Sequence, residues 1–263
     1  MKRIINSNRY KIFISKFLAD ISPAEFKNEV LIKNKLRGAL IFIFLTGTAV
    51  FAGNSIHVEF NNLSDWEPLN FPKIKNHSRY SIISEKGKNI LQCESSGSAS
   101  GLIYKKTFNV YNYRKLKWKW KISNIYNNVD PFKKSGDDYP LRIYIIFKYD
   151  PAGAALFEKA KYNALKLIYG EFPPRSSINY VWSSKVIPDG IITSPFTDRV
   201  KFILLEKGAE KVNTWITEEV NILEDYRKAF GTNPPETASL AIMCDSDNTG
   251  QSAKAFVEYI NIE

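Results

Sequence analysis

The stretch Lys115-Leu116-Lys117-Trp118-Lys119-Trp120-Lys121-Ile122 decides the fold class. Apolar and cationic side chains alternate strictly across it. Successive side chains of a β-strand point to opposite faces, so this period predicts a strand with one face in a core and one in water. Leu116, Trp118, Trp120 and Ile122 are the expected core face, and the lysines on the other face also discourage edge-to-edge pairing. Similar short runs recur on both sides, among them RYSIIS (79–84), NILQCES (89–95), INYVW (178–182) and ASLAIMC (238–244). Many short strands separated by turn residues predict a mainly β fold, an antiparallel sandwich or barrel, spanning residues 53–263 as a single domain.

Next along the chain, LRIYIIFKY (141–149) reads as a strand with Ile143, Ile145 and Phe147 inward. Arg142, Tyr144 and Lys148 then share the opposite face, the expected working face. Two inserted helices are predicted. Residues 152–168 place Leu156, Ala160, Ala164, Leu167 and Ile168 at the spacing of an amphipathic helix, with Gly170 and Pro173-Pro174 ending it. Residues 222–230 form the second, with Asn221 as N-cap, Glu224 as its capping-box partner and Gly231 as the stop.

Before the strands comes GALIFIFLTGTAVFA (38–52), an uncharged apolar run preceded by Lys33, Lys35 and Arg37. Val50 and Ala52 supply small residues before Gly53, so residues 1–52 read as a signal peptide with a long n-region. The expected location is periplasmic or secreted, with no transmembrane span once the leader is removed. The net charge of +10 is concentrated there: residues 1–52 hold nine of the 37 Lys and Arg and three of the 27 Asp and Glu. A weakly basic remainder calls for no nucleic-acid partner. Cys93 and Cys244 sit in strand runs and are candidates either for one disulfide or for two buried thiols.

Three groups carry candidate chemistry. Gly136-Asp137-Asp138-Tyr139-Pro140 is an acidic turn before Arg142, suited to sugar hydroxyls, a hard cation or plain turn chemistry. Asp245-Ser246-Asp247-Asn248-Thr249-Gly250 resembles the first half of a calcium loop, which makes Asp245 and Asp247 candidate metal ligands and calcium the candidate ion. Loop position 12 is Phe256 and flanking helices are lacking, so an EF-hand is excluded. Tyr180, Trp182, Trp215 and Tyr226 form an expected exposed-aromatic set, with Trp182 beside Ser183-Ser184 as a candidate stacking face for a sugar. Enzyme motifs are weak: there is no G-x-S-x-G, H-E-x-x-H, zinc spacing or Gly-rich phosphate loop, and His57 and His77 lie far from the acidic turns.

W-K-W (118–120), G-D-D-x-P-L-R-I-Y-I-I-F (136–147), I-N-Y-V-W (178–182), D-Y-R-K-A-F-G (225–231), A-I-M-C-D-S-D-N-T-G (241–250) and a closing F-V-E-Y-I (256–260) follow in an order that resembles the bacterial exported proteins grouped as domain of unknown function 3047. The resemblance implies export and an antiparallel two-sheet β-sandwich of the jelly-roll kind, similar to carbohydrate-binding modules. It implies no role for any residue. The leading expectation is a non-catalytic protein binding a glycan or another envelope ligand. Its polar contacts would come from Asp137, Asp138, Arg142, Tyr144, Tyr180, Asp245, Asp247 and Asn248, with stacking on Trp182. The alternatives are a glycoside hydrolase using paired carboxylates and a structural or assembly protein of the envelope.

Overall fold

The structure, a computed structural model, describes residues 55–71, 74–152, 154, 156–169 and 172–263. The expected leader, residues 1–52, lies outside the described residues. Among those described, no helix is long and apolar enough to cross a membrane.

Among the described residues, thirteen strands and two α-helices follow in chain order. They are β1 (Ile56–Glu59), β2 (Trp66–Leu69), β3 (Arg79–Glu85), β4 (Lys88–Ser96), β5 (Ala99–Asn109), β6 (Lys115–Ile122), β7 (Arg142–Phe147), α1 (Leu156–Tyr169), β8 (Ser176–Ser183), β9 (Ile191–Ser194), β10 (Thr197–Lys207), β11 (Ile216–Asn221), α2 (Ile222–Phe230), β12 (Thr237–Asp245) and β13 (Ser252–Ile262). The six-stranded sheet runs β11-β6-β13-β4-β3, with β1 beside β4 along the same edge of β13. The seven-stranded sheet runs β2-β5-β12-β7-β8-β10-β9. The fold is thus the expected mainly β two-sheet sandwich. One pair departs from antiparallel: β8 and β10 run parallel, because the hairpin partner of β10 is β9.

The lysine strand β6 behaves as its alternation requires. Leu116, Trp118, Trp120 and Ile122 are fully buried between the sheets. Trp118 packs on Tyr180 at 5.4 Å between ring centroids, and Trp120 on Trp182 at 5.8 Å, so the two sheets meet through aromatic rings. Cys93 and Cys244 are both buried and both free thiols.

The seven-stranded sheet differs from a half-wet sheet. Its second face is covered too: Tyr144, Ile146, Ala241 and Met243 pack with Leu69 and Phe71, and Val181, Val200, Phe202 and Leu204 pack with Tyr139 and Ile192. Every residue of β7 is buried. The expected working face of Arg142 and Tyr144 is therefore an interior, while Lys148 is exposed.

Both predicted helices form. In α2 the Asn221 side chain accepts from Leu223 N and Glu224 N, and Gly231 closes the helix at φ 70°, its N–H donating to Arg227 O. This is N-cap and left-handed C-cap chemistry as the sequence suggests. In α1 two members of the expected stripe, Leu156 at 86% and Ala160, are exposed, while Tyr162 is buried and stacks on Tyr149 at 3.6 Å.

Candidate functional site

The two acidic turns, more than a hundred residues apart in sequence, meet at one end of the sandwich. Arg142 joins them. Its Nε donates to Asp245 Oδ1 at 2.8 Å and its Nη2 to Asp245 Oδ2, while Nη1 donates to Asp137 Oδ1 at 3.1 Å. The guanidinium also lies over the Tyr139 ring, 4.6 Å from its centroid. Asp138 accepts from Asn248 N, Asn248 Nδ2 and Thr249 N at 3.3, 3.0 and 2.6 Å. Gly136 lets the segment leading into the first turn pack against the Asp130 backbone, because a Cβ there would sit 2.3 Å from Asp130 O.

These charges are deeply buried: Asp137, Asp138, Arg142 and Asp245 are 6%, 1%, 3% and 1% exposed. Burial pushes the Asp137 carboxyl up to about 6, outweighing the attraction of Arg142, with Asp138 adding repulsion. One carboxylate oxygen from each of Asp138, Asp245 and Asp247 lies within 4.8 Å of the others. Asp247 is the exposed member of this group. The buried carboxylates are turned toward Arg142 and backbone donors, a staple between turns, and do not flank an open cleft as a hydrolase pair would.

The aromatic expectations change more. Trp182 and Tyr180 are fully buried, and Tyr144 and Tyr226 are 4% exposed. Trp182 Nε1 donates to Gly208 O at 3.1 Å, Tyr180 OH donates to Asp225 Oδ2 at 3.0 Å, and Tyr144 OH faces Met243 Sδ at 3.3 Å. Trp182, Tyr180 and Tyr226 offer no face to a ligand in solution. The reason is the opposite sheet: Trp120 and Trp118 occupy the side toward which Trp182 and Tyr180 point. Of the expected exposed set only Trp215 is half-exposed.

The open surface lies elsewhere, on the outer face of the six-stranded sheet where β3 and β13 begin and β4 and β6 end. A groove of about 800 Å³ is lined there by Lys75, Asn76, His77, Arg79, Glu94, Ser96, Ser123, Asn124, Ser252 and Lys254, among others. This volume suits a ligand of several rings. Lys254 pairs with Glu94 at 2.7 Å. Lys75 and Arg79 are exposed and make no ion pair among the described residues, so the groove carries uncompensated positive charge. Two residues beyond Lys254, about 7 Å along the strand, Phe256 projects from the same face. It is half-exposed and meets Trp215 at 6.5 Å, with Lys121 Nζ over both rings at 4.7 and 4.6 Å.

The staple supports this groove. Ser246, next to Asp245, donates its N–H to Ser98 O at 2.8 Å, and Ser98 lines the groove. Gln251 is locked to Asn127 through N and O in both directions, just before groove residue Ser252. Sequence reading missed the groove because its members come from separate segments, each an ordinary solvated run of Lys, Asn and Ser. The alternation of Lys254 and Phe256 in the last strand is the one local signal of a shared outer face.

Among solved structures the chain is similar to the family 11 carbohydrate-binding module of the cellulosomal cellulase Lic26A-Cel5E of Clostridium thermocellum, at 11% identity and TM-score 0.39, covering 80% of this chain and 95% of that one. It is also similar to winged bean acidic lectin complexed with methyl-alpha-D-galactose, at 10% identity and TM-score 0.35, covering 80% and 97%. A third is a cellulase derived from Cel12A of Rhodothermus marinus, at 9% identity and TM-score 0.37, covering 80% and 100%. No curated protein matches. The blocks that begin before the W-K-W strand and run through the last strand match one family model over residues 64–261, and the chain belongs to that family, described as protein of unknown function (DUF3047).

Proposed function

We infer that this protein is an exported, non-catalytic binder of glycans, and that it takes a negatively charged glycan in the groove at the end of the six-stranded sheet. The carrying observation is the pairing of unlike features on one open face. Lys75 and Arg79 are uncompensated cations among serine and asparagine side chains, and the half-exposed Phe256–Trp215 pair lies one step along the strand. Hydroxyl and amide groups suit sugar hydroxyls, the cations suit carboxylate or sulfate, and aromatic faces suit the C–H face of a sugar ring. The apolar leader at 38–52 supports export, and envelope or extracellular polysaccharide is the class of ligand met there.

Calcium enters this reading as an accessory ion. Asp247 offers exposed carboxylate oxygens beside Asp138 and Asp245, and an ion held there would brace the turn that leads to Ser252.

Isothermal titration of the full chain with uronic-acid, sulfated and neutral oligosaccharides tests the assignment. Charged oligosaccharides are expected to bind, and Arg79→Gln to weaken them about 2- to 5-fold, the worth of one exposed charge contact. Trp215→Ala should weaken them about 2- to 10-fold through lost stacking. Equal affinity for charged and neutral sugars, or binding untouched by both substitutions, removes the groove as the site.

A further inference from the structure

The covered face of the seven-stranded sheet holds a feature that neither the staple nor the groove explains. Asn179 of β8 is fully buried, and neither its amide nitrogen nor its amide oxygen has a hydrogen-bond partner among the described residues. Ser177, two residues earlier and on the same face, is 2% exposed, and its hydroxyl likewise finds no partner among the described residues. Buried polar groups are nearly always paired in folded proteins, so two on neighbouring positions of one strand face are unusual. The strand register sets aromatic rings on either side: Asn179 pairs with Tyr144 of β7 and with Phe202 of β10. Directly paired residues share a sheet face, so the amide stands between two rings. A cavity of about 20 Å³ opens at this place, lined by Asp137, Arg142, Tyr144, Asn179, Phe196 and Phe202 among others.

We propose that this covered face is a second binding site, taking a small neutral polyhydroxylated molecule the size of one sugar ring, with Asn179 as the anchor and Tyr144 and Phe202 as flanking walls. A primary amide presents a donor and an acceptor side by side, which matches two neighbouring hydroxyls. The flanking rings match the apolar face of the same sugar. The ligand is neutral because the one cation lining the cavity, Arg142, spends its charge on Asp137 and Asp245. The closed cavity has the volume of about one water molecule. Entry therefore moves the turn between β9 and β10, whose half-exposed Phe196 lines the cavity and carries Lys134 Nζ over its ring at 5.3 Å. This site lies on the opposite sheet from the groove and differs from it in ligand charge, so each can fail without the other.

Thermal shift of the full chain with D-glucose, D-galactose and N-acetyl-D-glucosamine tests the proposal. At least one sugar should raise the melting temperature in a concentration-dependent way. Asn179→Leu, nearly isosteric, should abolish that rise while leaving the sugar-free melting temperature unchanged or higher, because it removes an unpaired buried amide. Phe196→Ala should give a larger rise at the same sugar concentration by opening the cover. The proposal is overturned by a sugar response that survives Asn179→Leu, by a marked drop in sugar-free stability in that variant, or by no response to any of the three sugars in either wild type or Phe196→Ala.

Discussion

Replacing Arg142 by Met is the sharpest probe of the staple. The side chain is 4% exposed and serves two carboxylates, Asp137 and Asp245, whose own side chains are 8% and 2% exposed. Met fills similar volume without charge, so the packing loss is small and the electrostatic loss dominates. Removing one partner of a buried ion pair costs about 3–5 kcal/mol, because the other charge stays buried and uncompensated. For a domain of this size each kcal/mol moves the melting temperature by about 2–4 °C, so a fall of about 6–20 °C is expected near neutral pH. The fall should shrink in acid. Without the guanidinium, burial and mutual repulsion act on Asp137 and Asp245 unopposed, and both can be neutralised by protonation. Calorimetric melts of wild type and variant at about pH 5 and about pH 7.5 measure both effects. Lys117→Ala is the control. Its ion pair with Glu219 is 38% and 47% exposed, so its loss should cost no more than about 1 kcal/mol. An Arg142→Met cost below about 1 kcal/mol, or one equal at the two pH values, would refute the staple.

Two further outcomes follow from burial. Asp137→Asn keeps an acceptor oxygen for Arg142 but cannot ionise. Since burial raises the native Asp137 pKa from 3.8 to about 6, the native state holds the proton more tightly than the unfolded chain, and wild-type stability falls as pH climbs from about 4 through about 6. The variant should lack that slope and gain on wild type by at most about 3 kcal/mol near pH 7.5, with little difference near pH 4. Glu218, pushed up to about 7 by burial and by the nearby Glu206, leaves a residual slope of the same sign in melts across this range. Trp182→Ala should destabilise the fold by about 3–5 kcal/mol in denaturant titrations, as a large core truncation does. A loss under about 1 kcal/mol there would return Trp182 to the surface and to ligand stacking.

The fold was legible where one strand face is wet. Lys117, Lys119 and Lys121 mark the outer face of β6, and the tryptophans between them lie in the core. It was less legible where both faces are covered. LRIYIIF carries Arg142 and Tyr144 on the face opposite Ile143, and alternation alone suggested water there. Yet a near-continuous apolar run is also how a strand buried on both faces reads, and the structure takes that course. Strand β2 escaped notice because Pro68 disfavours a central strand; it sits at a sheet edge, where proline is tolerated. The acidic turns were visible singly, but their union depends on Arg142 reaching Asp245 across a separation of 103 residues. Trp182 misled because Ser183 and Ser184 suggested a loop, while its burial is set by Trp120 on the other sheet.

The staple also raises the question of why charge is buried here at all. A buried ion pair is a weak source of stability, and an apolar cluster of the same volume can hold two turns together equally well. What an apolar cluster cannot do is accept hydrogen bonds. Asp138 fixes the backbone N–H groups of Asn248 and Thr249, and Asp245 accepts from the N–H of Tyr139. Those N–H groups belong to turns that lie between the two candidate sites: one leads to Gln251 and groove residue Ser252, and the other carries Asp137 to the wall of the covered cavity. Methyl groups in place of the carboxylates would leave these N–H groups unsatisfied, and the turns free to choose other conformations. Arg142 then compensates the carboxylates that the backbone requires, and the cluster is better understood as a device for fixing two turns than as a ligand site in its own right.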